Sequence, residues 1–315
     1  MIFVEHSPCE DPAINFAIEE HCFKHLHPSR EVVLTYVNQP SVIIGRHQNA
    51  FDQVNLGVVR KEGIPVIRRR SGGGAVYHDC GNLNFAFIGR YDHSLFLNYQ
   101  RILLPVIHAL GDLGISATFS APNQILVGNK KVSGNSQYSN MKRMVSHGTL
   151  LYGTDLETLQ TVLTPDLEVV YSRGVRSEPR PVGNLSEYLD SETTFADFRG
   201  RFTRRLAHVY GEKTPLQLAP SDWEDIHDLA RRKYRSWEWN YGRSPEFTAI
   251  CLWENSRVFI DVAKGIVQTV RGGDDGLSPG VLSDLRERLV GCRFSDVQID
   301  PHGRISQRST EGDKL

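Results

Sequence analysis

Apolar positions in this chain gather in short runs of β-branched and aromatic residues more often than in stripes repeating every three to four residues. Val32-Val33-Leu34-Thr35-Tyr36-Val37, Ser41-Val42-Ile43-Ile44-Gly45 and Asn84-Phe85-Ala86-Phe87-Ile88 each predict a strand. So do Ile2-Phe3-Val4, Val66-Ile67, Ile125-Leu126-Val127, Lys131-Val132-Ser133 and Thr149-Leu150-Leu151-Tyr152. Asn38-Gln39-Pro40 reads as a hairpin-like connection between the first two runs. Helical spacing begins at Asp11-Pro12, an N-cap followed by proline at the first helical position. The helix is expected from Pro12 to about Lys24, with Ile14, Ala17, Ile18, Cys22 and Phe23 facing inward. That spacing leaves Glu19 and Glu20 on the outer, solvated face. Further helices are predicted within 95–113 and over 156–163, 194–210, 222–234 and 279–289. Antiparallel connections through short turns outnumber strand-helix-strand units, so the expected fold class is α+β, a mostly antiparallel sheet with flanking helices. Three aromatics ahead of a Gly and a Pro, in Trp237-Glu238-Trp239-Asn240-Tyr241-Gly242-Arg243-Ser244-Pro245, mark the end of a first domain, 1–243. Strands over 248–253, 258–262 and 266–270 then build a small β-rich C-terminal domain, 244–315.

Composition narrows the classes of function. With 315 residues, 40% hydrophobic and 23% charged, the chain is globular and long enough for one large domain and one small one, all folded but the last dozen residues. Lys+Arg 36 against Asp+Glu 37 leaves a net charge of −1, so no global field draws it to nucleic acid or an anionic membrane. The five cysteines are scattered without a CxxC pair, against a disulfide framework or a zinc site. Met1-Ile2-Phe3-Val4-Glu5 lacks a basic start and long apolar run, and no stretch is long and apolar enough to span a bilayer. A reducing, cytoplasmic setting is expected, or the mitochondrial matrix in a eukaryote.

The stretch that concentrates chemistry is Arg68-Arg69-Arg70-Ser71-Gly72-Gly73-Gly74-Ala75-Val76-Tyr77-His78-Asp79. Arginine forks beside backbone free of side chains suit an anion pressed close to the chain. The bland alternative is a surface turn beside a solvated charge run. Strands on both sides of the loop, and the absence of both G-x-G-x-x-G and the Walker ending, argue against a dinucleotide or P-loop fold. In Asn129-Lys130-Lys131-Val132-Ser133-Gly134, strand alternation sends the two lysines to opposite faces. If Val132 is in the core with Lys130 on its side, Lys131 is the one that faces a groove. His147, beside Gly148 at a strand, can approach a ligand closely, but the sequence places no partner for a triad with Ser146 or Ser133. The segment from Arg173 to Leu185 is expected as a mobile loop that closes on a phosphate or decorates the surface.

Taken in order, these landmarks resemble the lipoate–protein ligase family, which includes the lipoyltransferases and belongs to the wider biotin–protein ligase group. The resemblance rests on Asp11-Pro12 with Asn15 and Glu19-Glu20, Ile43-Ile44-Gly45-Arg46 with Gln48-Asn49, and the loop from Arg68 to Asp79. It also rests on Lys131-Val132-Ser133-Gly134 and His147-Gly148-Thr149-Leu150, with weaker matches out to Trp237–Gly242. It implies a two-step reaction. Lipoate and Mg²⁺-ATP give lipoyl-adenylate and pyrophosphate, and a lysine of a lipoyl-domain carrier, an E2 subunit or the glycine-cleavage H protein, then takes the acyl group. By position, Arg69, Gly74, Ala75, Val76, Tyr77 and Lys131 would bind nucleotide, the segment from Gly74 to Tyr77 through its backbone. Arg69, Gly73, Gly74, His78, Lys131 and His147 would bind lipoate, and Lys131 would be catalytic. Ile43-Ile44, Val76 and Phe85 would wall the acyl tail, and Arg70 sits at a variable position. The chain departs from the family with Gln124 where relatives carry Asp and Ser146 where they often carry His, so the Mg²⁺ ligands stay unassigned.

Four rivals remain in view, the most distant a biotin ligase, because the Gly72-Gly73-Gly74-Ala75-Val76-Tyr77-His78-Asp79 form resembles the lipoate variant of the loop. A transferase relaying the acyl group through a cysteine is disfavoured, because no cysteine lies between Cys80 and Cys251. A lipoyltransferase fed preformed lipoyl-adenylate would keep the same loop and lysine. A non-enzymatic module that binds acidic protein segments would use the arginine run as its contact surface. Lipoate and octanoate are both open as substrates.

Overall fold

The computed structural model describes residues 2–5, 9–27, 30–178, 180–209, 217–253, 256–273, 276–299 and 305–307. Its strands are β1 (Ile2–Glu5), β2 (Val32–Val37), β3 (Ser41–Ile44), β4 (Val66–Arg68), β5 (Val76–His78), β6 (Asn82–Arg90), β7 (Ala117–Ser120) and β8 (Gln124–Val127). They continue with β9 (Lys130–Ser139), β10 (Arg143–Leu151), β11 (Glu168–Ser172), β12 (Phe247–Trp253), β13 (Ser256–Ala263), β14 (Ile266–Gly272), β15 (Val297–Ile299) and β16 (Ile305–Gln307). The helices are α1 (Pro12–His25), α2 (Leu56–Lys61), α3 (Tyr99–Ile102), α4 (Leu104–Gly111), α5 (Leu156–Val162), α6 (Phe195–Val209), α7 (Pro220–Leu229), α8 (Trp237–Asn240) and α9 (Pro279–Leu289).

A seven-stranded sheet in the order β1-β2-β6-β10-β9-β8-β7 is the frame, antiparallel except for β1 beside β2. Alternation along its strands divides the apolar residues between two cores. Val33, Val37, Phe85, Leu150 and Val132 turn to α4 and α6, where Phe198, Phe202 and Leu206 meet them. Val32, Leu34, Ala86, Ile88 and Val145 turn to α1 and α7. The same side carries a small sheet, β4-β3-β5, whose Ile43 and Ile67 close that second core. The α+β expectation holds.

The hairpin expected between β2 and β3 does not form. β2 pairs with β1 and β6, whereas β3 pairs with β4 and β5 in the small sheet. Asn38 is the reason: its buried side chain accepts from Asn15 Nδ2 at 2.8 Å and lies 2.9 Å from His78 Nδ1, which pulls the turn out of the large sheet. Glu19 and Glu20 are not solvated either. Both are 2% exposed, because α1 is wrapped on all but its last turn. The helix expected within 95–113 is two, α3 and α4, with Leu103 between them. The helix expected over 222–234 is α7 followed by a π-helical turn, Ala230–Tyr234. The Tyr210 end of the helix expected over 194–210, and the final dozen residues apart from 305–307, lie outside the described residues.

The four-stranded C-terminal sheet runs β11-β12-β13-β14, so one of its strands comes from far upstream of residue 244. Phe247 of this part stacks on Phe51 of the first part at 5.3 Å, and Phe294 meets Phe51 edge-on at 5.2 Å. The small sheet and the C-terminal sheet therefore share one core.

Candidate active site

The glycine loop connects β4 to β5, the two strands that flank β3, and so it must cross over the end of β3. Gly45, the next residue after β3, lets it do so: a Cβ there would meet the Gly73 carbonyl oxygen at 2.1 Å. Gly73 itself has φ +87°, the left-handed region that favours glycine. Backbone bonds pin the crossing, from Arg46 N–H to the Ser71 carbonyl at 2.8 Å and from Arg69 N–H to the Ile44 carbonyl at 3.0 Å.

The arginines that enter the loop do not act as one cluster. Arg68 is fully buried and donates to the carbonyls of Gly45, Gln48, Trp239 and Asn240. Burial, with the Arg243 and Arg69 charges, pushes its pKa down to about 10, so it stays a cation at neutral pH. Arg70 turns the other way, onto the faces of Phe23 and Tyr138, 3.8 Å from Glu20. Arg69 borders the cavity beneath the loop, donating from Nη2 to the carbonyls of Gly72 and Gly74 at 2.6 and 2.8 Å and from Nη1 to the Ile43 carbonyl. Those bonds turn the loop carbonyls toward the guanidinium.

The cavity measures about 260 Å³ and crosses the large sheet on its α1 side. Toward β2, Phe16, Tyr36, Ile43 and Val76 make an apolar end; toward β8 and β9, Lys131, Asn123 and Gln124 make a polar one. A register shift between β8 and β9 leaves Val132 as the extra residue. Val132 falls in the core, Lys130 pairs outward with Glu187 at 2.7 Å, and Lys131 lines the cavity. The Lys131 side chain lies across Gly134, where a Cβ would come within 3.1 Å of Nζ. Among the described residues no carboxylate pairs with it. Burial lowers its pKa, and the Arg69 and Arg180 charges add to that. The rim is Val175 to Glu178, held by Ser177 Oγ, which accepts from Ala75 N–H at 2.9 Å and lies 2.8 Å from Gln53 Oε1.

His147 reaches the cavity wall with both ring nitrogens engaged. Its Nδ1 is 2.8 Å from Glu19 Oε2 and its Nε2 is 2.6 Å from Ser71 Oγ. The histidine left without partners in the sequence thus has two, one of them a carboxylate expected in solvent. The structure gathers Arg69, Gly73, Gly74, Ala75, Val76, His78, Lys131 and His147 around one cavity. Tyr77 alternates away, its side chain buried in the core shared with the C-terminal sheet and its pKa pushed up to about 12 by burial and then by the Asp79 charge. Of the residues expected to wall a tail, Ile43 and Val76 do border the cavity, whereas Ile44 and Phe85 face the two neighbouring cores. Phe16, Tyr36 and Asn84 were not singled out from sequence. Phe16 sits one turn before Glu19 on α1, and Tyr36 alternates with the core residues Val33 and Val37, which was the only signal they carried.

Residues 11–207 match the family model described as the lipoyl protein ligase A/B catalytic domain. Along its length the chain is 39% identical over 303 residues to lipoate-protein ligase LplJ of Bacillus subtilis, covering 93% of this chain and 91% of that protein. The chain belongs to the lipoate–protein ligase family. A second member, lipoate–protein ligase 1 of Staphylococcus aureus, is 37% identical over 306 residues, covering 95% of this chain and 92% of the relative. The fold of this family member also superposes on a solved lipoate-protein ligase A bound with ATP, with TM-score 0.64 and 23% identity over 77% of this chain and 98% of that one. Among the described residues, no helix is long and apolar enough to cross a membrane.

Proposed function

We propose that this protein is an ATP-dependent lipoate–protein ligase that forms lipoyl-adenylate and passes the lipoyl group to a lysine of lipoyl-domain acceptors, E2 subunits and the H protein. Residues 1–243 are assigned to catalysis and 244–315 to an accessory part. The observation that carries the reading is Lys131: a cation without a carboxylate partner among the described residues, at the polar end of a cavity whose other end is apolar and whose roof is the glycine loop. An acid with an apolar tail and a phosphate both fit that polarity.

In the first step a carboxylate oxygen of lipoate attacks the α-phosphorus of ATP, and the bond to the bridging oxygen breaks as pyrophosphate leaves. In the second, the neutral amine of the acceptor lysine attacks the acyl carbon, the acyl C–O bond breaks, AMP departs and the amine releases a proton. Negative charge builds near the same atoms in both, first on the phosphoryl oxygens and then on the acyl oxygen. Lys131 is assigned to neutralise it, at a lysine that burial has partly stripped of water. Arg69, through the carbonyls it ties down, sets the loop from Gly73 to Val76 against the nucleotide, with Tyr77 contributing only its main chain. His78 and His147 are assigned to the acyl side. Among the described residues no group of three or more His, Cys, Asp or Glu is placed to hold a metal. Mg²⁺ would arrive with ATP as part of the substrate, where it would neutralise phosphate charge, and Glu178 is a carboxylate on the cavity rim that could ligate it.

The test is lipoate-dependent exchange between ATP and pyrophosphate, followed by transfer to a lipoyl domain. Exchange together with transfer is the expected result. Transfer from supplied lipoyl-adenylate without exchange would make the protein a lipoyltransferase, and neither activity in folded protein would overturn the reading.

A further inference from the structure

We propose that Glu19 is a positioning residue for Arg69, acting through His147 and Ser71, so that a buried four-residue chain sets the glycine loop. The inference rests on the ligase reading above for its assay.

With His147 a neutral imidazole, the chain has only one consistent direction of donors. Arg69 Nε carries a hydrogen and can only donate, so Ser71 Oγ, 3.0 Å away, accepts it. The serine hydrogen is then free to donate, and His147 Nε2 stands 2.6 Å off to receive it. A neutral imidazole that accepts at Nε2 carries its proton on Nδ1, which donates to Glu19 Oε2 at 2.8 Å. The opposite tautomer would set the Nδ1 lone pair against a carboxylate oxygen at that distance. The carboxylate therefore selects the tautomer, the tautomer orients the serine hydroxyl, and the hydroxyl holds the arginine whose other nitrogens grip Gly72 and Gly74.

The surroundings fix each link. The imidazole is flanked edge-on by Phe16 and Tyr138, at 6.4 and 6.2 Å between centroids. The second oxygen of Glu19 accepts from the Tyr138 hydroxyl at 3.3 Å. The wiring is that of an acid–histidine–serine triad, but Ser71 is fully buried, lies off the cavity wall, and spends a lone pair on the arginine. It is placed to hold a cation, not to attack a substrate.

Two substitutions enter the chain at different links. Glu19→Gln keeps the shape but offers the ring either an acceptor or a donor, so both tautomers become available. Ser71→Ala removes the hydroxyl between ring and guanidinium. Each variant is expected to lower kcat of lipoate-dependent exchange by about 10- to 50-fold, the scale of a displacement near 1 Å, with the thermal midpoint changed far less than in a core variant. The discriminating measurement is the double variant. Residues acting through one chain give a double variant no slower than the worse single one within about threefold, since a chain once broken cannot be broken again. Multiplied losses, or single variants that exchange at the wild-type rate, would overturn the proposal. If Glu19→Gln does not fold, Ser71→Cys, which keeps a weaker donor, must fall between wild type and Ser71→Ala, and any other order refutes the chain. Absence of exchange in the wild-type protein would sink the ligase reading instead, so the two failures are distinct.

Discussion

Replacing Arg68 with leucine tests the claim that this arginine is a fastener and not part of an anion site. Its guanidinium is fully buried among backbone carbonyls, with Nη1 2.6 Å from the Gln48 oxygen and 3.0 Å from that of Gly45, and Nη2 2.8 Å from that of Asn240. Nε adds the Trp239 carbonyl at 3.0 Å. Leucine fills part of the volume and satisfies none of these four acceptors. The Gly45 carbonyl keeps the bond from Gln48 N–H, so three carbonyls are left unpaired, and at least about 1 kcal/mol each sets a floor of about 3 kcal/mol. That is a large share of the roughly 5–15 kcal/mol that holds a folded protein together. A loss of that size lowers the thermal midpoint by about 6 °C or more. Lysine, with one ammonium in place of a fork, is expected to fall between leucine and arginine. Thermal unfolding followed by tryptophan fluorescence suits the site, because Trp239 Nε1 donates to the Arg68 carbonyl at 2.6 Å. Leucine and lysine variants both within about 1 kcal/mol of the parent would show that the carbonyl cage does not hold the fold together.

Other expectations follow from the same geometry. Lys131→Met should lower kcat for lipoate-dependent exchange by about 10²- to 10³-fold, the cost of losing one preorganised charge-stabilising donor, without a matching fall in thermal midpoint; a variant as fast as the parent would take Lys131 out of the chemistry. Gly45→Ala should displace the glycine loop, since its Cβ would collide with the Gly73 carbonyl, and cut kcat/KM for ATP by more than about tenfold in a still-folded protein. Steady-state kinetics beside circular dichroism separates those outcomes. Glu20 predicts an acid limb. Burial pushes its carboxyl up, but the Lys233 charge and the bonds from Lys233, Lys24 and Tyr234 together bring it down from an ordinary 4.5 to about 2. A depressed carboxylate stabilises the fold above its unfolded value, and the contribution drains away as pH falls from about 4.5 toward 2. Unfolding free energy measured across that window should drop in the parent and run flatter in Glu20→Gln; parallel curves would refute it.

What the sequence revealed and what it hid divide along range of interaction. Strand runs, the proline-capped start of α1 and the opposite faces of Lys130 and Lys131 are decided by neighbours within a few residues, and they were legible. The fate of Glu19 and Glu20 was not. Their partners Tyr138, His147 and Lys233 lie more than a hundred residues downstream, and nothing local distinguishes a buried carboxylate from a solvated one. The arginine run misled for the same reason: charge type is written in the sequence, but direction is set by strand alternation and by carbonyls from residues 239–240. β11 was passed over although Val169-Val170-Tyr171 is a β-branched and aromatic run; its partner, β12, lies about eighty residues downstream, and no neighbouring strand in the sequence pointed to it. The register shift that brings Lys131 and Gly134 to one face is likewise a property of the pairing with β8, not of either segment.

That unnoticed strand has a mechanical side. β11 ends at Ser172, hydrogen-bonded in register with Phe247, and only two residues separate it from Val175, where the lip of the cavity begins. The lip is thus hung on a short tether from the C-terminal sheet. Its other anchor is Ser177, whose hydroxyl accepts from Ala75 N–H at 2.9 Å and lies 2.8 Å from Gln53 Oε1. Removing the C-terminal strands would take away the pairing partner of β11, and the mouth of the cavity is then expected to loosen.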